Sequence, residues 1–392
     1  MAAVNDTFYI PLTQSWTNST APISVIPKTA TPVLDSPALW VDESTSSIFL
    51  WGGLHPYGNG TNSRDLWRLR TDGSSSSTSG SGGGEWQIER PDPTNIDVFL
   101  SLRRIAYGAA TTCGNLGFSL GGFGGLWTDA KNFEGAVWLG VPVTGMLTYD
   151  MSLGIWANES TLPSTESPGN GSEPEHGGLN DAGTFIHGSI VCLPGFGSRP
   201  ESQKEGTNAA LVLALGGSVT RTQDGFDVDF PTIPRLDCVS FWDVETKTWH
   251  YQRTTGDIPS PRSRICAVAA HGNGTYEVFV FGGNDANTMT GFWDVYVLSI
   301  PGFVWFKAEI DEETAGGPRI QHGCALAGNR QMIVVGGLNP TMELDESRRD
   351  KDPWANGIGV FDISKLSWSS EYDAQAEPYE SPDVVKRWYS AG

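Results

Sequence analysis

Residues 278–283 read Val-Phe-Val-Phe-Gly-Gly, and four other stretches of the chain end in the same way. Those four are Ile48-Phe49-Leu50-Trp51-Gly52-Gly53, Gly117-Phe118-Ser119-Leu120-Gly121-Gly122, Leu211-Val212-Leu213-Ala214-Leu215-Gly216-Gly217 and Met332-Ile333-Val334-Val335-Gly336-Gly337. An apolar run that ends in Gly-Gly predicts a buried β-strand followed by a turn, because glycine adopts positive φ and allows close backbone approach. Five copies indicate a repeat architecture.

A second pattern follows four of these stretches. An aromatic or aliphatic residue directly precedes an Asp or Ser, and a Trp lies six residues after that Asp or Ser. The copies are Tyr149-Asp150 before Trp156, Trp242-Asp243 before Trp249, Phe361-Asp362 before Trp368, and Leu298-Ser299 before Trp305. The Asp carboxylate bonds the backbone two residues on and favours a tight hairpin, and the Trp ring then fills the wedge between sheets. Four short antiparallel strands cannot cover both faces alone, so the copies are predicted to pack radially as β-propeller blades.

The pattern resembles the kelch repeat, in which a strand ending in Gly-Gly follows an inner strand and precedes an aromatic-Asp strand and a Trp strand. The resemblance covers nearly the whole chain and implies an all-β kelch-type propeller of four-stranded antiparallel blades, six in number with one incomplete. We predict a single domain with an N-terminal half-blade at residues 5–20, blades at about 37–90, 103–158, 184–252, 262–308 and 319–372, and a C-terminal closing segment at 373–392. Residues 379–389 are the candidate for one inner strand that the half-blade lacks.

The two ends of the chain resemble fungal surface kelch-repeat proteins more narrowly. The matching stretches are Asn5-Asp6-Thr7-Phe8-Tyr9-Ile10-Pro11-Leu12 and Pro378-Tyr379-Glu380-Ser381-Pro382. That resemblance implies a secretory segment upstream and a membrane anchor downstream, and therefore an extracellular or cell-surface location. Because the half-blade lacks its inner strands, we hypothesise that the sequence is a truncation or a partial gene model.

Charge and hydropathy exclude several classes of partner. The chain has 45 acidic and 25 basic residues, a net charge of −20, and no cluster of Lys and Arg, so a nucleic-acid partner is not expected. No run of 18 apolar residues is present, so no transmembrane segment is expected in this chain. The first residues lack a basic stretch followed by an apolar one, so no signal peptide is expected, and a cytoplasmic location is the alternative.

Cysteines and glycosylation sequons bear on the compartment. The five cysteines show no Cys-x-x-Cys spacing, and we interpret them as buried thiols within strands, although pairing is left open. Six Asn-x-Ser/Thr sequons are candidates for glycosylation and favour the secretory route. They lie at Asn5, Asn18, Asn59, Asn158, Asn170 and Asn273.

Strand alternation places most of the long loops on one face, where binding residues are expected. Three inner strands there begin with Arg followed three residues later by a second candidate: Arg104 and Tyr107, Arg262 and Ile265, Arg319 and His322. Arginines around a channel mouth hold carboxylates of acidic peptides, whereas in the alternative interpretation each pairs with an Asp or Glu of an adjacent loop.

Aromatic and histidine side chains give weaker signals at the same face. Trp127 and Trp293 lie in long loops and form a candidate platform for a peptide or sugar, or they cover the loops. We interpret His187 and His322, on inner strands, as core or channel residues rather than ligands.

No catalytic constellation stands out. The fold resembles the central domain of galactose oxidase, whose copper site needs two Tyr, two His and a Cys crosslinked to Tyr, but no His here follows a Tyr directly. The Glu-x-x-x-Asp-x-x-x-His iron motif of plant kelch specifier proteins is absent as well. We therefore predict a non-enzymatic module without cofactor, metal or catalytic residues that binds a protein or peptide, with a galactose-oxidase-like or carbohydrate-active enzyme and a glycan-binding propeller as alternatives.

Overall fold

A computed structural model describes residues 6–26, 32–55, 64–71, 84–129, 141–143, 145–159, 185–196, 209–219 and 233–391. Strands dominate, and each of the five larger sheets contains a blade of four antiparallel strands. The all-β fold and the four-stranded blade are thus confirmed. The described residues form five blades, whereas six were predicted, one of them incomplete.

The N-terminal segment contributes three short strands outside these blades. They are β1 (Thr7–Tyr9), β2 (Trp16–Thr17) and β3 (Ser24–Ile26). β1 pairs with β3, whereas β2 pairs with a strand near the C-terminus, β29 (Glu371–Tyr372). The predicted half-blade at 5–20 therefore divides its strands between two separate pairs.

The blades follow one another along the chain, each with its innermost strand first. Blade 1 comprises β4 (Ala38–Asp42), β5 (Ser47–Trp51), β6 (Leu66–Arg70) and β7 (Trp86–Glu89). Blade 2 comprises β8 (Ala109–Cys113), β9 (Leu116–Leu120), β12 (Met146–Asp150) and β13 (Ile155–Glu159), with the pair β10 (Phe123–Gly124) and β11 (Val141–Pro142) in its long loop. Blade 3 comprises β14 (Phe185–Pro194), β15 (Ala210–Val219), β16 (Cys238–Asp243) and β17 (Thr248–Arg253).

The last two blades are the most completely described. Blade 4 comprises β19 (Cys266–His271), β20 (Tyr276–Phe281), β23 (Val295–Ile300) and β24 (Val304–Lys307), with β18 (Thr255–Gly256) added in parallel and the pair β21 (Asn284–Asp285) and β22 (Thr290–Gly291) in a loop. Blade 5 comprises β25 (Gly323–Ala327), β26 (Gln331–Val335), β27 (Ile358–Asp362) and β28 (Ser367–Ser369). The helices in the described residues are α1 (Ile96–Ser101), α2 (Leu344–Arg349) and α3 (Asp383–Ala391), with 3-10 turns at Glu43–Thr45, Pro93–Asn95 and Ala355–Gly357.

The repeated Asp closes the hairpin between the third and fourth strands, as predicted. The Asp150 carboxylate accepts hydrogen bonds from the backbone N–H groups of Ser152 and Leu153 at 2.9 and 3.0 Å. Asp243 and Asp362 accept the equivalent pairs of bonds. Each carboxylate accepts hydrogen bonds from backbone N–H groups of the turn. These bonds hold the turn between the third and fourth strands in one conformation.

The tryptophans of the outer strands form part of the core between blades. Trp156 and Trp305 are at most 1% exposed. The Trp305 indole Nε1 donates to the carbonyl of Leu236, which precedes the third strand of blade 3, at 3.1 Å. Burial of these rings in the wedge between neighbouring sheets agrees with the sequence-based prediction.

The Gly-Gly pairs join each blade to the next. The second glycine of these pairs donates its N–H to a carbonyl at the start of the next inner strand or just before it. The bonds run from Gly53 to Ile105, Gly122 to Phe185, Gly217 to Arg262 and Gly283 to Arg319, at 2.7–3.0 Å. The first glycine has a φ between 62° and 71° at these junctions. A Cβ on Gly282 would lie 2.7 Å from the Arg319 carbonyl oxygen, so glycine is required there.

Two disulfides connect inner strands of adjacent blades. Cys113 and Cys192 join blades 2 and 3, and Cys266 and Cys324 join blades 4 and 5. Cys238 is a buried thiol. The interpretation of the cysteines as buried thiols is therefore wrong for four of the five, because facing positions on neighbouring inner strands are far apart in sequence.

The C-terminal segment does not form an inner strand. Most of residues 379–389 belongs to the helix α3, so the expectation that they close the ring is wrong. The segment is instead anchored on blade 4, where Glu277, fully buried, accepts hydrogen bonds from the Tyr379 hydroxyl at 2.8 Å and from the Ser381 hydroxyl at 3.0 Å. A buried carboxylate with such partners holds the tail in place.

We expect Gly282→Ala to lower the free energy of unfolding markedly. Alanine at φ 66° is strained by about 1–2 kcal/mol. The clash of its Cβ with the Arg319 carbonyl adds about 1–3 kcal/mol of overpacking. Chemical denaturation measures the sum.

The matched control is Gly274→Ala, in the turn between β19 and β20. Gly274 has a φ of 80°, but a Cβ there meets no atom within 4 Å. It therefore reports the backbone strain alone. Equal losses for the two variants would show that the contact between blades is not what requires Gly282.

Candidate binding face

Each blade starts its inner strand with a non-glycine residue in the left-handed region. These five residues, called here the strand-start ring, have φ between 50° and 59°: Ser36, Tyr107, His187, Arg264 and Gln321. In blades 2 to 5 they lie two positions after the carbonyl that accepts the Gly-Gly hydrogen bond. Left-handed backbone is unfavourable for such residues by about 1–2 kcal/mol each, and strain of this kind concentrates at functional sites.

Three members of the ring are in direct contact across consecutive blades. The His187 N–H donates to the Tyr107 carbonyl at 2.9 Å, and the Arg264 N–H donates to the His187 carbonyl at 2.7 Å. The rings of Tyr107 and His187 lie edge to face with centroids 4.9 Å apart. The Tyr107 hydroxyl donates to the carboxylate of Asp35, beside Ser36 of blade 1, at 3.1 Å. These contacts bring polar groups of blades 1 to 4 together at one end of the inner strands.

Burial sets the charge states of this cluster. Desolvation, assisted by the neighbouring Arg264, lowers the pKa of His187 to about 3, so the imidazole is neutral at physiological pH. Burial also lowers the pKa of Arg264, whose guanidinium donates to the Asn284 side-chain oxygen at 3.2 Å. Burial and Asp35 raise the pKa of Tyr107, which keeps its phenol protonated. The cluster therefore combines a guanidinium and an imidazole, whose N–H groups are suited to binding carboxylates and carbonyls, with a phenol that donates to Asp35.

The predicted arginines Arg262 and Arg319 have partners within the protein. The Arg262 guanidinium, 1% exposed, bonds the Asp294 carboxylate at 2.6 Å and the Gly282 carbonyl at 3.2 Å, and lies 4.0 Å from the Phe292 ring centroid. Its immediate function is thus to hold the Gly-Gly turn of its own blade. This arrangement corresponds to the alternative interpretation, in which each Arg pairs with a carboxylate of an adjacent loop.

Arg319 repeats the arrangement one blade further on. It forms two parallel bonds to the Asp352 carboxylate at 2.8 and 2.9 Å and a third to the Gly336 carbonyl at 2.6 Å. Its guanidinium lies 4.1 Å from the Trp354 ring centroid. Bidentate pairing with aromatic stacking is the geometry that arginine favours in buried ion pairs.

Arg104 is buried in a different way. Its guanidinium donates to the Asp65 carbonyl at 2.7 Å, while its backbone N–H donates to the Asp129 carboxylate at 3.1 Å. Desolvation, opposed by Asp129 and Asp65, lowers its pKa to about 9. All three predicted arginines are therefore buried beneath the candidate binding face, where they hold its loops and turns in place.

The remaining candidate residues differ in how far they are buried. His322 is 7% exposed with its ring against Phe281 at 5.0 Å, and burial beside Arg319 lowers its pKa to about 3. Trp127 and Trp293 are half-buried in their loops. Of the sequons, Asn158 and Asn273 are exposed and Asn18 is half-buried, whereas Asn5, Asn59 and Asn170 lie outside the described residues. Glycosylation and the aromatic platform remain predictions.

The predicted pairs, each an Arg followed three residues later by a second candidate, do not occupy equivalent structural positions in the different blades. Ile105 and Arg262 both accept a Gly-Gly hydrogen bond, so Tyr107 corresponds to Arg264 and not to Ile265. By the same correspondence Gln321, and not His322, belongs to the strand-start ring. Arg264 and Gln321 were missed because the inner strands were aligned on their arginines rather than on the preceding Gly-Gly.

The described part of the chain shows neither a membrane-crossing helix nor a metal-binding group. None of the helices placed there has the length and hydropathy to cross a membrane. Within the same residues, no group of three or more His, Cys, Asp or Glu side chains is arranged to hold a metal ion.

The fold is a β-propeller, and comparisons with known proteins find kelch repeats in part of it. Residues 211–382 match the family model described as KLHDC2/KLHL20/DRC7 Kelch-repeats domain. A Kelch repeat-containing protein of Arthroderma benhamiae is 28% identical over 94% of this chain and 52% of its own length. Host cell factor of Drosophila melanogaster is 27% identical over 31% of this chain and 8% of its own. Residues 211–382 thus match kelch repeats, and the chain spans about half the length of the Arthroderma relative.

We expect Arg262→Ala to destabilise the protein by about 3–5 kcal/mol, because removing one partner leaves the Asp294 charge poorly compensated. Denaturant unfolding of Arg262→Ala, Asp294→Ala and the double variant measures the coupling between the two residues.

The exposed pair formed by Arg235 and Asp237 at 2.8 Å is the control, since the Arg235 side chain is 70% exposed. Arg235→Ala is expected to lower stability by less than about 1 kcal/mol. A similar small loss for Arg262→Ala would contradict the structural role given to the buried pair.

Proposed function

We propose that this kelch propeller is a recognition module that binds a protein or peptide where the strand-start ring meets the long loops. We further propose that it acts outside the cytosol, at a cell surface or cell wall. A role in protein interaction is consistent with its kelch repeats. The finer proposals rest on the ring and on the cysteines.

The strand-start ring is the observation that carries the binding proposal. Tyr107, His187 and Arg264 come from three consecutive blades, yet they contact one another and share a strained backbone conformation. The Arg264 guanidinium and the N–H of the neutral His187 imidazole offer hydrogen-bond donors to a carboxylate or to peptide carbonyls, while the Tyr107 hydroxyl already donates to Asp35. A peptide segment that carries a carboxylate is therefore the partner that this chemistry favours.

The proposed compartment is supported by the disulfides and by sequon exposure. Structural disulfides form and persist in oxidising environments and are rare in the cytosol. The bonds Cys113–Cys192 and Cys266–Cys324 each join two blades, so both lie within the scaffold. The sequons at Asn158 and Asn273 have exposed side chains, as attachment of a glycan requires.

The binding proposal is tested by selecting peptides from a displayed random library on the whole chain. We expect selected peptides to carry a carboxylate and to bind Arg264→Met at least about tenfold more weakly, because a charge-assisted hydrogen bond contributes about 1.5–3 kcal/mol. Titration calorimetry with synthetic copies of the selected peptides gives the affinities.

The control for this experiment is Lys247→Met, which also removes one positive charge. Lys247 is 62% exposed in the turn between β16 and β17, on an outer edge of blade 3. The Lys247→Met variant should bind the selected peptides with unchanged affinity. Peptides that bind Arg264→Met as tightly as the natural protein would place the binding surface elsewhere.

Mass spectrometry of the protein from its own cells tests the compartment. When the protein is alkylated under denaturing, non-reducing conditions, we expect linked peptides for Cys113–Cys192 and Cys266–Cys324, an alkylated Cys238, and a glycan on Asn158 or Asn273. The Cys238 peptide serves as the internal control for alkylation. Alkylated thiols at all five cysteines with bare asparagines would instead indicate the cytosol.

A further inference from the structure

The residue directly after each Gly-Gly lies beside the strand-start ring. In every blade it pairs with the residue just before the ring member of that blade. The pairs are Asp35 with Leu54, Ala106 with Phe123, Ile186 with Ser218, Ser263 with Asn284, and Ile320 with Leu338. The side chain after Gly-Gly is therefore in a position to support the ring member of its own blade.

In two blades this supporting side chain matches the ring member in chemistry. Phe123 stacks on Tyr107 with ring centroids 5.1 Å apart. Asn284, 3% exposed, accepts a hydrogen bond from the Arg264 guanidinium at 3.2 Å through its side-chain oxygen. The Ser263 hydroxyl donates to the same oxygen at 3.4 Å, and the backbones of Ser263 and Asn284 bond each other at 2.8 and 2.9 Å. The amide is thus fixed against the guanidinium.

The Arg264 guanidinium lacks the kind of partner that nearby arginines have. Arg262 and Arg319 each bond a carboxylate, at 2.6–2.9 Å. Arg264 is half-buried, yet among the described residues it forms no ion pair, and its side chain bonds the neutral amide of Asn284. A cation that has lost part of its hydration is unfavourable without a counter-ion. An anion supplied by a ligand would complete the missing pair.

We propose that Asn284 is the positioning residue that makes the strand-start ring selective for an anion. Its amide holds the Arg264 guanidinium in place and leaves the positive charge for the ligand. A carboxylate is therefore bound in preference to a neutral amide of the same shape. An Asp in this position would pair with Arg264 and repel the carboxylate of the ligand. The inference rests on the proposed function, because it identifies the residue that imposes the charge of the bound peptide segment.

The test compares two small probes, acetate and acetamide, which have nearly the same shape and differ in charge. Each is titrated into the whole chain at constant ionic strength. The nuclear magnetic resonance signal of the Arg264 Nε–H group, assigned by its loss in Arg264→Met, reports binding at this guanidinium. We expect acetate to shift this signal to saturation and to bind at least about tenfold more tightly than acetamide, because hydrogen bonds between two charged groups are the stronger ones.

Two substitutions of Asn284 separate its charge from its position. Asn284→Asp should weaken acetate binding at least about tenfold, since the new carboxylate competes for the same guanidinium. Asn284→Leu, which introduces the residue type found after Gly-Gly in blades 1 and 5, should keep the preference for acetate because it adds no charge. The matched control is Asn273→Asp in unglycosylated protein. Asn273 is exposed in the turn between β19 and β20, at the opposite end of blade 4, so acetate affinity should not change.

Acetate binding that survives Asn284→Asp would overturn the inference. Loss of the preference for acetate in Asn284→Leu would also overturn it, because Asn284 would then have a structural role only. A natural protein that gives no response to acetate would overturn it as well, since a carboxylate of the chain would then already neutralise Arg264. If acetate responds as expected while no selected peptide depends on Arg264, the peptide function is wrong and the anion selectivity stands.

Discussion

One backbone hydrogen bond, repeated at four junctions, determines how the blades of this propeller meet. The second glycine of blades 1 to 4 donates to a carbonyl at the start of the next inner strand or just before it, and the first glycine leaves no room for a side chain. Arg262 and Arg319 extend the link, since each accepts this bond with its carbonyl and holds the Gly-Gly turn of its own blade with its guanidinium. Each of these arginines therefore links the Gly-Gly turn of the preceding blade, the start of its own inner strand and the Gly-Gly turn of its own blade.

The position of the candidate binding groups follows from the same joint. Two residues beyond the acceptor carbonyl the chain enters the left-handed region, and that residue differs from blade to blade as Tyr107, His187, Arg264 and Gln321. The scaffold thus keeps the backbone geometry and leaves the side chain free to vary. Hydrogen bonds between ring members of adjacent blades, such as Arg264 to His187, fix the spacing of these groups around the ring.

The elements that were predictable from the sequence are those governed by local chemistry. The apolar runs, the Gly-Gly turns and the Asp150, Asp243 and Asp362 hairpins each depend on residues close in the chain, and their repetition indicated the propeller. Contacts between blades were not predictable, because Cys113 and Cys192 are 79 residues apart in a sequence without a characteristic cysteine spacing. The tail was misjudged for a related reason, since its apolar residues fit a strand as well as the helix that packs on blade 4 through Val385.

The two disulfides also affect how the chain responds to a pulling force. They enclose sequence separations of 79 and 58 residues, which stay closed when the sheets come apart. At about 3.3–3.6 Å per extended residue, these two loops withhold about 450–490 Å of contour length. A chain held at its ends would therefore reach its full extension early, and the tension would then act on covalent bonds between blades 2 and 3 and between blades 4 and 5.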